Sequence, residues 1–142
     1  MIQLSEHFSL DELTFTDHRE FDNVPNETEL ANLIRLAAFL ETVRSVLGKP
    51  LHINSAFRSE QVNTAVGSKN TSQHRLGCAA DLRVSGMTPD EVMQAIIRAE
   101  LQFDQIIREF DRWTHISIPN TADAKPRRNA LIIDKTGTRL YV

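Results

Sequence analysis

Ser72-Gln73-His74-Arg75-Leu76-Gly77-Cys78-Ala79-Ala80-Asp81 is the stretch on which the reading of this chain turns. It sets an imidazole and a carboxylate one short loop apart, and a second imidazole follows far downstream in Trp113-Thr114-His115-Ile116-Ser117. Two His and one Asp are borderline ligands suited to zinc, and three protein ligands leave a fourth position free for water. That is the make-up of a hydrolytic zinc site rather than a structural one, which protein ligands close on all four sides.

Working outward, the segment 68–78 reads as a polar loop carrying His74, and Ala79 to Val84 as a strand carrying Asp81. Upstream, Leu51-His52-Ile53-Asn54 alternates as a short strand, and Ser59 to Gly67 as a short helix closed by glycine, with Arg58 at the junction. A longer helix is predicted from Asn26, which caps with Glu29; Leu30, Leu33, Ile34, Ala37, Leu40, Val43 and Leu47 recur at helical spacing until Gly48 and Pro50 end it. Ser9-Leu10-Asp11-Glu12 reads as the cap of a short helix, with Phe8, Leu10, Leu13 and Phe15 as anchors onto the body. Downstream, Thr88-Pro89-Asp90-Glu91 starts a helix whose Val92, Met93, Ile96 and Ala99 face the core. Two strands follow, about Asp104 to Phe110 and Trp113 to Ile118, around a tight Asp111-Arg112 turn; two more, Ala130 to Asp134 and Arg139 to Val142, are joined by Lys135-Thr136-Gly137-Thr138. Helices come early and strands late, which favours an α+β fold.

Composition sets the bounds. A chain of 142 residues, 41% hydrophobic, buries one core without disulfides, and the absence of repeats or linkers predicts a single domain over residues 1–142. One cysteine, Cys78, excludes an internal disulfide framework and points to synthesis in a reducing compartment. The start, Met1 to His7, has neither a basic segment nor an apolar run, so neither a signal peptide nor a membrane anchor is expected. A net charge of -3 gives no footprint for nucleic acid, and the basic Lys125-Pro126-Arg127-Arg128 is read as a solvated loop.

A lone H-x6-D pair is a weak signal in a chain with five histidines, but the full string is specific: Ser72-x-His74-x-x-Gly77-x-Ala79-x-Asp81, then Trp113-x-His115. It resembles the zinc D-alanyl-D-alanine metallopeptidases, the LAS-type fold shared by bacterial D,D-carboxypeptidases, D,D-dipeptidases, phage L-alanyl-D-glutamate endolysins and hedgehog signalling domains. The match extends over the chain for the short, phage-type members. The resemblance implies a small antiparallel sheet with helices packed on one side. It also implies zinc held by His74, Asp81 and His115, in a monomeric phage or prophage enzyme that cuts an amide in the peptide stem of bacterial peptidoglycan. Made without a signal segment, such an enzyme reaches the wall through a holin, a virion or lysis. The alternative is a non-catalytic zinc-containing domain of the same fold, serving in a virion or binding a partner.

Zinc hydrolysis needs a base near the bound water and a group for the developing oxyanion. Glu109 ends the apolar strand one hairpin turn before His115, so antiparallel pairing brings it beside the metal, and it matches the phage-type E-F-x-x-W-x-H pattern. Asp111 is the competing carboxylate. Arg58, in Ser55-x-x-Arg58-Ser59, matches the family segment that polarises the scissile carbonyl. Ser72 and Gln73 are candidates for binding substrate polar groups. Asn63 is read as a helix-surface residue, Cys78 as a small buried thiol, and His7, His18 and His52 as surface or packing residues. Because residues two apart in a strand share a face, Trp113, His115 and Ser117 look one way while Thr114, Ile116 and Ile118 look the other, into the core.

Overall fold

The computed structural model describes residues 2–141; Val142, expected to end the last strand, lies outside the described residues. Helix α1 is Leu10–Leu13, α2 is Glu27–Leu47, α3 is Glu60–Ala65 and α4 is Pro89–Arg98, with a 3-10 turn at Gln73–Leu76. The strands are β1 His52–Ser55, β2 Ala79–Arg83, β3 Gln105–Glu109, β4 Trp113–Ser117, β5 Asn129–Asp134 and β6 Gly137–Leu140. They form one sheet in the order β1-β2-β4-β3-β5-β6. The fold is α+β, as the order of elements implies.

The helices begin where their caps dictate. The Asn26 side chain accepts from the Glu29 amide and the Glu29 carboxylate accepts from the Asn26 amide, satisfying two donors that the first turn leaves free. Thr88 and Glu91 repeat this device at α4, with Pro89 in its first turn. Helix α2 buries Leu33, Leu36, Ala37, Leu40 and Val43, so its apolar stripe runs through Leu36. Ile34, expected inward, is 48% exposed because it lies a quarter-turn off that stripe. Ala99 caps α4 at its exposed end instead of facing the core, and Phe15, expected as an anchor, is 43% exposed just beyond α1.

The sheet is mixed rather than antiparallel. β2, β4 and β3 pair antiparallel, but β5 lies parallel to β3 on its far side. The cause is the connection after β4, which carries the chain back to the start of β3 before β5 begins. There Arg128 donates its amide to the Phe103 carbonyl and Asn129 to that of Asp104, while the Arg127 guanidinium grips the buried Asp104 carboxylate at 2.6–3.1 Å. The basic segment read as a solvated loop is therefore anchored through Arg127, and Arg128 stacks over Phe103 at 5.1 Å. The final hairpin is tighter than expected, with β6 starting at Gly137.

Pairing fixes which residues share a face. Ala80 opposes Ile116 and Ile106 opposes Ile116, and these belong with Leu82, α2 and α4 to the main core. On the other face Asp81 stands opposite His115, and Glu109 opposite Trp113. The chemistry-bearing side chains are thus turned away from the core by the period of the strand.

Candidate active site

His74 sits on the 3-10 turn, whose geometry rests on Ser72 and Gly77. The Ser72 hydroxyl accepts from the His74 amide, and Gly77 closes the turn at φ 78°. A Cβ at Gly77 would lie 2.8 Å from the Glu29 carbonyl oxygen of α2, so both its conformation and the close approach require glycine. The turn is stitched to the segment after β1: the Arg58 amide donates to the His74 carbonyl, and His74 Nδ1 lies 2.6 Å from the Ala56 carbonyl oxygen. A carbonyl only accepts, so Nδ1 carries the proton and Nε2 presents a lone pair.

That lone pair faces Asp81 Oδ1 at 3.4 Å, and His115 Nδ1 lies 3.0 Å from the same oxygen. All three residues are buried, and one ligand atom from each falls within 4.8 Å of the others. Two ligands held at ~2.0–2.1 Å by a tetrahedral zinc are about 3.3 Å apart, so the spacing fits such an ion. Burial opposes a charge on His74 and keeps the ring neutral. Although burial also opposes the charge of Asp81, its carboxyl lies far below the usual range, with His115 Nδ1 and Arg58 Nη2 at hydrogen-bond distance from its two oxygens. A neutral Nε2 lone pair facing a carboxylate oxygen at this distance places two acceptors against each other, an arrangement that a cation between them relieves.

A pocket of about 450 Å³ opens onto this group and is lined by Arg58, Val66, Gly67, Ser68, Ser72, His74, Asp81, Glu109, Trp113 and His115. Of the two carboxylates on the β3–β4 hairpin, Glu109 lines this pocket. Asp111 points away, with 76% of its side chain exposed and an ion pair 3.1 Å from Arg108 Nε. Burial pushes the Glu109 carboxyl up from its ordinary value and the charge of Asp81 adds to this, against the pull of His115, Arg58 and the nearby Trp113 N–H. A raised carboxyl is better matched to taking up a proton near neutral pH than an ordinary one.

Arg58 is held on several sides. Nε donates to Ser55 Oγ at 3.1 Å, Nη1 to Asn63 Oδ1 at 3.5 Å and Nη2 to Asp81 Oδ2 at 3.3 Å. Three of its five N–H groups are thereby engaged, leaving two for a substrate. Asn63, expected on a helix surface, is buried and also donates to the Lys69 carbonyl. Its place follows from α3 packing its inner side against the 68–72 loop, which a six-residue helical pattern does not reveal.

Gln73 is not in the pocket. Its amide nitrogen lies within 3.1 Å of Asp104 Oδ2, the Ile118 carbonyl and Asn120 Oδ1, on the far side of the turn. Ser72 and His74 line the pocket, while these three acceptors hold the Gln73 side chain away from it. Cys78 is fully buried with its sulfur 3.7 Å from Arg35 Nη2, outside the ligand group. His7 pairs with Glu41 at 2.7 Å, remote from the pocket. A residue missed at the sequence level is Asn23, which donates to the Thr14 and Phe57 carbonyls and accepts from the Ser59 amide, tying the N-terminal segment to the Arg58 loop. Among the described residues, no helix is long and apolar enough to cross a membrane.

No curated protein matches the chain. The model of one family, described as Peptidase M15, matches residues 6–117, a span that begins before α1 and closes at the end of β4, just past His115. M15 peptidases are metal-dependent, which is the chemistry that the paired imidazoles and carboxylate on β2, β4 and the 3-10 turn are built to support. The chain belongs to the peptidase M15 family of metallopeptidases.

Proposed function

We propose that this chain is a zinc peptidase that hydrolyses an amide in the peptide stem of bacterial peptidoglycan, of the D,D-carboxypeptidase or L-alanyl-D-glutamate endopeptidase type. The observation that carries the reading is that Glu109 and Arg58 open into the same pocket as His74, Asp81 and His115. A domain that used metal only to fold would have no need of an acid-base carboxylate there. Zinc, when bound by these three residues, supplies an acidified water and polarises the amide carbonyl.

The chain's own groups do the rest. Glu109 takes the proton of the attacking water on its carboxylate and delivers it to the amine nitrogen that leaves as the C–N bond breaks. The two free N–H groups of Arg58 hold the carbonyl oxygen as it gains negative charge. Asn63 and Ser55 keep that guanidinium from swinging out of the pocket. Ser72 lines the mouth, where its hydroxyl donates to a substrate carbonyl while accepting from His74. The Glu109-Phe110-x-x-Trp113-x-His115 pattern, similar to that of phage-type members, supports a phage or prophage source.

Incubation with purified peptidoglycan followed by mass spectrometry of the released muropeptides tests the reading. New amine and carboxyl termini at one stem-peptide bond are expected, in the zinc-loaded protein only. An unchanged muropeptide profile with zinc-loaded protein would overturn it.

A further inference from the structure

A second cleft, of about 580 Å³, lies between the tips of the β3–β4 and β5–β6 hairpins and is lined by Phe110, Asp111, Arg112, Trp113, Asp134, Lys135 and Thr136. Trp113 lines both this cleft and the metal pocket, so one indole forms the wall they share. Its buried Nε1 makes no regular hydrogen bond and lies near the Glu109 carboxylate, which ties the shared wall to the metal pocket. We propose that this cleft is an extended subsite that binds a carboxylate-bearing stretch of the peptide being cut, beyond the scissile amide.

Three features point to an anionic peptide. Both acidic residues of the cleft have a cation beside them: Asp111 pairs at 3.1 Å with Arg108, which also serves Asp90, and Asp134 pairs with Arg139 at 2.9 Å. Arg112 and Lys135 have no ion-pair partner among the described residues, so the cleft presents two free cations. Between them Phe110 is 48% exposed beside Trp113, with ring centroids 6.2 Å apart, an apolar floor for a side chain or extended backbone. Phe110 and Asp111 both hold left-handed backbone, at φ 54° and 53°, which non-glycine residues adopt only under constraint. The Phe110 amide donates to the Ile133 carbonyl at 2.8 Å, fastening the strained tip to β5 and fixing the width of the cleft. Lys135 and Thr136 lie beyond the residues matched by the family model, so this wall is set by the C-terminal hairpin of this chain.

The proposal rests on the stem-peptide reading, and its test separates the two. Turnover is measured on a synthetic stem pentapeptide with free carboxylates and on the same peptide with those carboxylates amidated, using wild type and the Arg112→Glu/Lys135→Glu variant. Wild type is expected to favour the free carboxylates about tenfold in kcat/KM, mainly through KM, and the variant to lose or reverse that preference. Lys135→Gln, a neutral change in an exposed turn, should remove part of it and serves if the double variant does not fold. Equal preference in wild type and variants, or none in wild type, overturns the subsite while leaving the peptidase reading intact. Turnover of neither peptide by wild type overturns both.

Discussion

Asp81 and His115 stand directly opposite each other on β2 and β4, with Asp81 Oδ1 3.0 Å from His115 Nδ1. The sheet register, and not a loop, therefore fixes two of the three candidate ligands. A slip of one residue in either strand would turn that strand's side chain into the core. Only His74 depends on a turn, and that turn is fastened to the Ala56 carbonyl and the Arg58 amide.

The purified protein should bind about one zinc per chain, and His74→Ala or His115→Ala should cut occupancy sharply while the far-ultraviolet spectrum is kept. Metal analysis after exhaustive dialysis decides this. Full occupancy in either variant removes that residue from the ligand set.

Glu109→Gln should keep metal and fold yet lower kcat by roughly 10²–10⁴, because the amide cannot accept the proton of water. Asp111→Asn should cost far less, since that carboxylate is exposed and paired with Arg108. Steady-state kinetics on one defined peptide compares them, and the reverse ranking would assign the base to Asp111.

Arg58→Lys tests a residue with two duties. A lysine cannot reach Ser55, Asn63 and Asp81 together, so metal affinity should fall by about 10–100-fold along with turnover. Metal titration and single-turnover rates at saturating zinc separate the two effects. Wild-type values in both would leave the guanidinium a bystander.

Gly77→Ala should destabilise the fold by about 2 kcal/mol or more, because the residue needs positive φ and its Cβ meets the Glu29 backbone oxygen. Because His74 rides on the same turn, zinc affinity should fall as well. Denaturant titration with and without zinc measures both, and a variant as stable as wild type would show that α2 and the turn yield easily.

The Asp104–Arg127 pair predicts a pH dependence. The Arg127 hydrogen bonds hold the Asp104 carboxyl below its ordinary value despite burial. A depressed carboxyl adds stability that is full above its unfolded pKa, near 3.9, and is lost as pH falls through the lower folded value. Arg127→Gln should cost about 1–2 kcal/mol at pH 6, and the gap to wild type should narrow on acidification towards pH 3. A gap that stays constant with pH would mean the pair contributes through packing alone.

The elements that depend on local patterns were legible in the sequence. The Asn26 and Thr88 capping boxes, the glycine that ends α2 and the alternation of β1 and β4 act over a few residues, so the local order of residues fixes them. The face on which His115 lies was legible for the same reason, since a strand has a period of two. What only the tertiary structure decided involves contacts between segments far apart in sequence. The parallel pairing of β5 with β3 depends on Arg127 finding Asp104, and the burial of Asn63 on α3 closing over the Lys69 loop. The choice of Glu109 over Asp111 as the pocket carboxylate follows from two left-handed residues at the hairpin tip that turn Asp111 outward to Arg108. Gln73 lies outside the site because its amide is held by Asp104, Ile118 and Asn120, partners far away in sequence that a linear motif does not show.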